Sequence, residues 1–102
     1  MSGYVRNIEI KVPFDGREVN VTVSPLTRAD LFYLQALIEA DKSSDVFAYY
    51  AERLIEYVKI HDVQDAAGVL VPVAEWCGSA YHVPLVTQVM TAHMERAVPS
   101  NP

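Results

Sequence analysis

Polar and apolar positions alternate twice near the start of the chain. Ile8, Ile10 and Val12 share one face against Asn7, Glu9 and Lys11, and Val19, Val21 and Val23 then interleave with Glu18, Asn20 and Thr22. A period of two is that of a half-buried strand. Between the runs sits PFDGR, whose Asp15-Gly16 supplies the positive-φ residue that a tight hairpin turn requires. The pattern predicts a β-hairpin over about residues 7–23.

The period then changes to that of a helix. In SPLTRADLFYL, Thr27 is placed to accept a backbone N–H as N-cap, and Asp30 to reach back as its capping-box partner. Leu26 and Leu31 hold the staple positions. Pro25 keeps Ser24 extended. A helix over about residues 28–40 follows, with Leu31, Leu34, Leu37 and Ile38 toward the core. DKSSD breaks it. Ser44 is the expected N-cap of a second helix over about 45–60, in which Val46, Tyr50, Leu54 and Tyr57 or Val58 form the apolar stripe. In DVQDAAGVLVPV, Gly68 between two short apolar runs predicts a loop or small hairpin, and AEWCGSA has room for one or two helical turns. Pro84 suits the first turn of a last helix over about 84–97, with Leu85, Val86, Val89, Met90, His93 and Ala97 on its apolar side. VPSNP is expected to fray over 98–102.

The expected class is therefore α+β: an N-terminal β-hairpin followed by three to four helices, packed as one small domain over residues 1–102. A hairpin is marginal alone, so helices or a second copy must cover its apolar face. Its unpaired edges permit a homo-oligomer.

Composition narrows the function classes. Apolar residues make up 51% of the chain and charged residues 21%, which is globular rather than disordered composition. The net charge is −5, with a balance of −4 between residues 31 and 65, and no run of Lys or Arg exists to release counterions from a nucleic acid. No nucleic-acid partner is expected. The single cysteine, Cys77, and a start without a charged-then-apolar leader predict an intracellular protein. AAGVLVPVA is too short to span a bilayer, so no membrane partner is expected either.

Candidate chemistry is sparse. Cys77 with His82 offers a thiol and an imidazole base, but Trp76 and Gly78 flank the cysteine in an apolar turn with no oxyanion site in view. His61, Asp62 and Asp65 offer metal-ligand types, yet they fall at a helix exit where polar capping is expected, and no zinc spacing accompanies them. Catalytic, cofactor and metal sites are accordingly expected to be none. Aromatic residues are more informative: Tyr4, Phe14, Phe32, Tyr33, Tyr49, Tyr50, Tyr57, Trp76 and Tyr81. With Leu31, Leu34 and Ile38 claiming the core face of the first helix, Phe32 and Tyr33 turn partly away, and Tyr49 lies beside the stripe of the second. Aromatics so placed either complete a small core or serve a partner surface.

The order of these phrases, FDGREV at a hairpin turn, SPLTRADLFYL, a helix pair, DAAGVLVPVAEW and a last helix, resembles that of the tail assembly chaperones of long-tailed bacteriophages and prophages. The likeness spans about residues 7–97. CGSAYH before Pro84 departs from it, with Gly78 where the family pattern would continue a helix. The resemblance implies a non-catalytic role: binding the tape-measure protein and keeping it soluble in the host cytoplasm until tail-tube subunits polymerise around it. It also implies absence from the mature virion, and a frameshifted, extended product that recruits the tail-tube protein. Phe32, Tyr33, Tyr49 and Tyr57 are the candidate partner-binding residues. A competing reading is a structural virion subunit, such as a head-tail connector or tail-completion protein; a third is an enzyme using Cys77 and His82.

Overall fold

A computed structural model describes residues 7–97. Tyr4 and the expected frayed segment 98–102 lie outside the described residues. The hairpin forms as its alternation requires: β1 (Ile8–Phe14) and β2 (Arg17–Val23) pair antiparallel in a register running from Ile8 opposite Val23 to Phe14 opposite Arg17. Asp15 and Gly16 make the two-residue turn at φ 55° and 80°, the positive values that match the right-handed strand twist. Ile10 and Val12 then fall on the same face as Val21 and Val19, and all four are buried.

Among the described residues, three longer helices follow the hairpin, and a one-turn helix and a 3₁₀ turn lie between the second and the last. Helix α1 (Arg28–Glu39) starts at Thr27, whose Oγ1 accepts the Asp30 N–H at 3.1 Å. It ends in a Schellman turn: Asp41 sits at φ 60°, its N–H donates to the Ile38 carbonyl, and the Lys42 N–H donates to that of Leu37, both at 3.0 Å. That turn delivers the chain straight into α2 (Ser43–Tyr57), so the N-cap is Lys42, without a side-chain bond, and Ser44 lies inside the first turn rather than capping it. On α2 the expected stripe of Val46, Tyr50, Leu54 and Tyr57 is buried.

The second helix stops three residues before its expected end at Ile60. The Val58 N–H closes its last turn on the Leu54 carbonyl, the Tyr57 carbonyl accepts the Ser24 N–H at 2.9 Å, and Val58–His61 becomes a third strand, β3, antiparallel to β2. β-Branched Val58 and Ile60 suit a strand, and pairing to the free edge of β2 outweighs the weak local helix preference. Asp62 locks the pairing. Its N–H donates to the Asn20 carbonyl at 3.1 Å, its carboxylate accepts the Asn20 N–H at 2.7 Å and the Asn20 side-chain amide at 2.9 Å, and Arg17 donates to its carbonyl at 2.8 Å.

The segment after β3 is a small hairpin-like loop. Gln64 bridges Leu70, Gly68 takes φ 82°, and the Asp65 carboxylate accepts N–H bonds from Ala67 and Val69. Buried Val63 and Val71 anchor it. A one-turn helix, α3 (Val73–Trp76), buries Trp76, whose indole N–H donates to the Val71 carbonyl at 3.0 Å. A 3₁₀ turn (Ala80–His82) leads into α4 (Val83–Ala97), with Pro84 in its first turn.

Helix α4 lies against β1 and supplies Leu85, Val86, Val89 and His93 to the core; Met90 and Ala97 are half-buried. It also blunts the outer edge of the sheet, because Gln88 donates to the Pro13 carbonyl at 3.0 Å and Arg96 to that of Glu9 at 3.1 Å. Both hairpin edges are thus engaged, β2 by β3 and β1 by α4. Helix α1 is the outlier. It packs chiefly on α2, so Leu34 alone is fully buried, Leu31 and Leu37 are half-buried, and Ile38, expected in the core, is 51% exposed.

Candidate protein-binding surface

Asp30 ties α1 to α2. In the expected capping box its carboxylate would return to the Thr27 backbone; instead each oxygen accepts one phenol O–H, from Tyr49 and from Tyr57, both at 2.7 Å. Burial by itself raises the Asp30 pKa, but the hydroxyls of Tyr57 and Tyr49 and the nearby Arg53 outweigh it, and the carboxyl titrates below its ordinary range. The same arrangement pushes the Tyr57 phenol up, through burial first and the Asp30 bond second. Arg53 lays its guanidinium over the Tyr49 ring, 4.5 Å from the centroid, and the Tyr33 ring packs against the same Tyr49 ring at a centroid separation of 4.5 Å, tilted by 50°.

These contacts sort the four aromatics singled out in the sequence. Phe32, on α1, is 60% exposed. Tyr33 and half-buried Tyr49 form a tilted pair beside it. Tyr57 does not join them: it is only 5% exposed, packs edge-on against His93 at 5.1 Å, and spends its hydroxyl on Asp30. It belongs to the core, so the surface patch is Phe32, Tyr33 and Tyr49.

A second surface feature was hidden in the sequence. An open groove of about 440 Å³ runs between the α1–α2 junction and α4, lined by apolar Ile38, Val46, Met90 and Met94 and by exposed Asp41, Ser43, Thr91 and Glu95. Each apolar member has core spacing on its own helix. Val46 is buried at the groove's floor, whereas Ile38, Met90 and Met94 stay partly open because α1 turns at Asp41, and helical periodicity carries no information about where that turn leaves α4. A clue was available in the unbranched side chains Met90 and Met94, since flexible thioethers suit surfaces that repack against partners.

The other residues weighed for chemistry make the following contacts. Cys77 is half-buried, its thiol donates to the Ala51 carbonyl at 3.2 Å, and burial pushes its pKa up, which disfavours the thiolate that a nucleophile requires. His82 instead stacks on Phe14 at 5.5 Å. His61 accepts the Val63 N–H and packs edge-on to Trp76, Asp62 serves Asn20, and Asp65 serves its own loop. These side chains accept from backbone N–H groups, and Asp62 also from the Asn20 side-chain amide. Among the described residues, no group of three or more His, Cys, Asp or Glu is placed to hold a metal ion, and no helix is long and apolar enough to cross a membrane. A polar cavity of about 410 Å³ is lined by Asp15, Arg17, Gln64, Asp65, Tyr81 and His82 among others; the Arg17 guanidinium is engaged by the Asp62 carbonyl, and the Tyr81 phenol is raised by its bond to Asp15.

Deeper in the molecule, His93 is fully buried between α2 and the end of β2. Its Nε2 lies 2.7 Å from the Ser24 carbonyl and its Nδ1 2.8 Å from the Tyr50 hydroxyl. A carbonyl only accepts, so Nε2 carries the proton, and Nδ1 accepts from Tyr50. Burial lowers the His93 pKa despite the opposing Ser24 bond, which holds the ring neutral. This residue positions the strand exit and α2 relative to α4.

Comparison of the chain with known protein families, with curated proteins and with solved structures gives no match.

Proposed function

We propose that this chain is a non-catalytic assembly chaperone of the bacteriophage tail type, binding the tape-measure protein and holding it soluble until tail-tube subunits polymerise around it. The observation that carries the reading is the open groove lined by apolar Ile38, Val46, Met90 and Met94 on an acidic domain; Ile55, Ile60, Val69 and Leu70 are also exposed but do not line it. A tape-measure protein presents long helices with repeated apolar stripes, and an amphipathic helix seated in a groove is a standard way to cover one. The net charge of −5 favours repulsion between loaded complexes over their aggregation. The order of hairpin, helix pair, loop and last helix agrees with the architecture that the resemblance implied. Phe32, Tyr33 and Tyr49 extend the contact surface in this reading.

The test is mass spectrometry of proteins that co-purify with a tagged copy in infected or induced cells, set beside the protein content of finished particles. Recovery of a very long helical protein, and of an extended form of this chain bringing the tail-tube protein with it, with the chain missing from particles, is the expected result. A stoichiometric place in the particle would instead make it a structural virion subunit, and this proposal would fall.

A further inference from the structure

The rim of the groove carries charge of one sign. Asp41, at the αL turn that ends α1, and Glu95, on α4, are both exposed and come to the lining from different elements, and neither Lys nor Arg lines the groove. Ile38 is half exposed, and Met90 and Met94 present side chains that adapt to an incoming surface.

From this arrangement we infer that the groove takes an amphipathic helix whose apolar stripe is flanked by Lys or Arg. The inference rests on the proposed chaperone reading for its client, but the site and its charge rule come from the groove alone. The apolar stripe displaces water from Ile38, Met90 and Met94 above buried Val46, while the flanking cations meet Asp41 and Glu95. Such a charge pattern fixes the position of the helix and rejects acidic competitors more than it adds affinity. A second copy of this chain is a poor occupant, because a protein of net charge −5 brings like charge to an acidic rim.

The probes are two synthetic helical peptides with one apolar i, i+4, i+7 stripe, flanked in one by Lys and in the other by Glu, measured by fluorescence anisotropy against the full chain. The Lys-flanked peptide is expected to bind about threefold to tenfold more tightly at low salt, the range for two exposed ion pairs, with the gap narrowing as salt is raised. The double variant Asp41→Asn, Glu95→Gln should bring the two peptides together, and Asn tolerates the positive φ at position 41. Ile38→Glu, at a half-exposed position, should weaken both peptides with an unchanged thermal midpoint. Equal binding of both peptides by the native chain, or binding that ignores Ile38→Glu, overturns the inference. Co-expression with the tape-measure protein separates this from the wider reading: client solubilised equally by native and Ile38→Glu chains leaves the chaperone and removes the groove. Peptide binding that obeys the charge rule without client solubilisation does the reverse.

Discussion

Replacing Asp30 by Asn tests whether α1 is held to α2 chiefly by one carboxylate. Each oxygen accepts a phenol O–H at 2.7 Å, and the side chain is 17% exposed. A hydrogen bond to a charged acceptor contributes about 1.5–3 kcal/mol. Partial solvent screening places each bond at the lower end, and Arg53, at 4.0 Å, lies beyond hydrogen-bond range and adds little. Asparagine offers a carbonyl acceptor to one hydroxyl and an amide donor to the oxygen of the other, so both bonds persist only in neutral form, each about 1 kcal/mol weaker than the charge-assisted bond it replaces. The expected cost is about 2 kcal/mol, or a fall in Tm of roughly 8–16 °C for a domain of this size.

Urea unfolding of the two proteins measures that cost, and a double-mutant cycle with Tyr57→Phe should return a coupling of about 1 kcal/mol. The pH dependence gives an independent check. Because the folded pKa of Asp30 is depressed, its contribution is complete above the unfolded value of about 3.9 and is lost as pH falls through the folded one. The gap between native and Asp30→Asn proteins should therefore shrink below about pH 4. A cost under about 0.5 kcal/mol, within the range of an ordinary surface substitution, would refute the clamp.

His93 predicts a second pH window of opposite origin. A buried neutral histidine with a depressed folded pKa forces unfolding to take up a proton once pH drops below the unfolded value of about 6.5. Stability should fall as pH drops below about 6.5, at up to about 1.4 kcal/mol per pH unit for this group, with His61 adding in the same direction. Thermal midpoints that stay flat from pH 7 to 5 would contradict the assignment, and His93→Gln should reduce the slope. The aromatic residues separate by burial: Phe32→Ala should change stability by less than about 0.5 kcal/mol, whereas Tyr57→Ala should cost about 3–5 kcal/mol, both read by urea titration. A large loss at Phe32 would assign it to the core and take it out of the partner surface.

The hairpin, the α2 stripe and the start of α1 were legible because their determinants are local. Asp15-Gly16 needs only its own dihedral preferences to turn the chain, Thr27 caps residues within one turn, and Val46, Tyr50, Leu54 and Tyr57 share a face by helical geometry alone. The candidate surface was half legible. Exposure of Phe32 and Tyr33 followed from their angular distance from Leu34, but Tyr57 already lay on the apolar stripe and needed no partner to be buried.

Local sequence alone determined where this chain turns, caps and alternates, since those choices are settled within a few residues. Long-range packing decided the rest. Val58–His61 became a strand because β2 offered an unfilled ladder and Asp62 could bond Asn20, 42 residues earlier. Asp30 turned from its own N-cap because two phenols from α2 reached it first. Ile38 and Met90 were left beside an open groove because the angle at which α1 leaves α2 keeps it short of α4, and no residue's own preference encodes that angle.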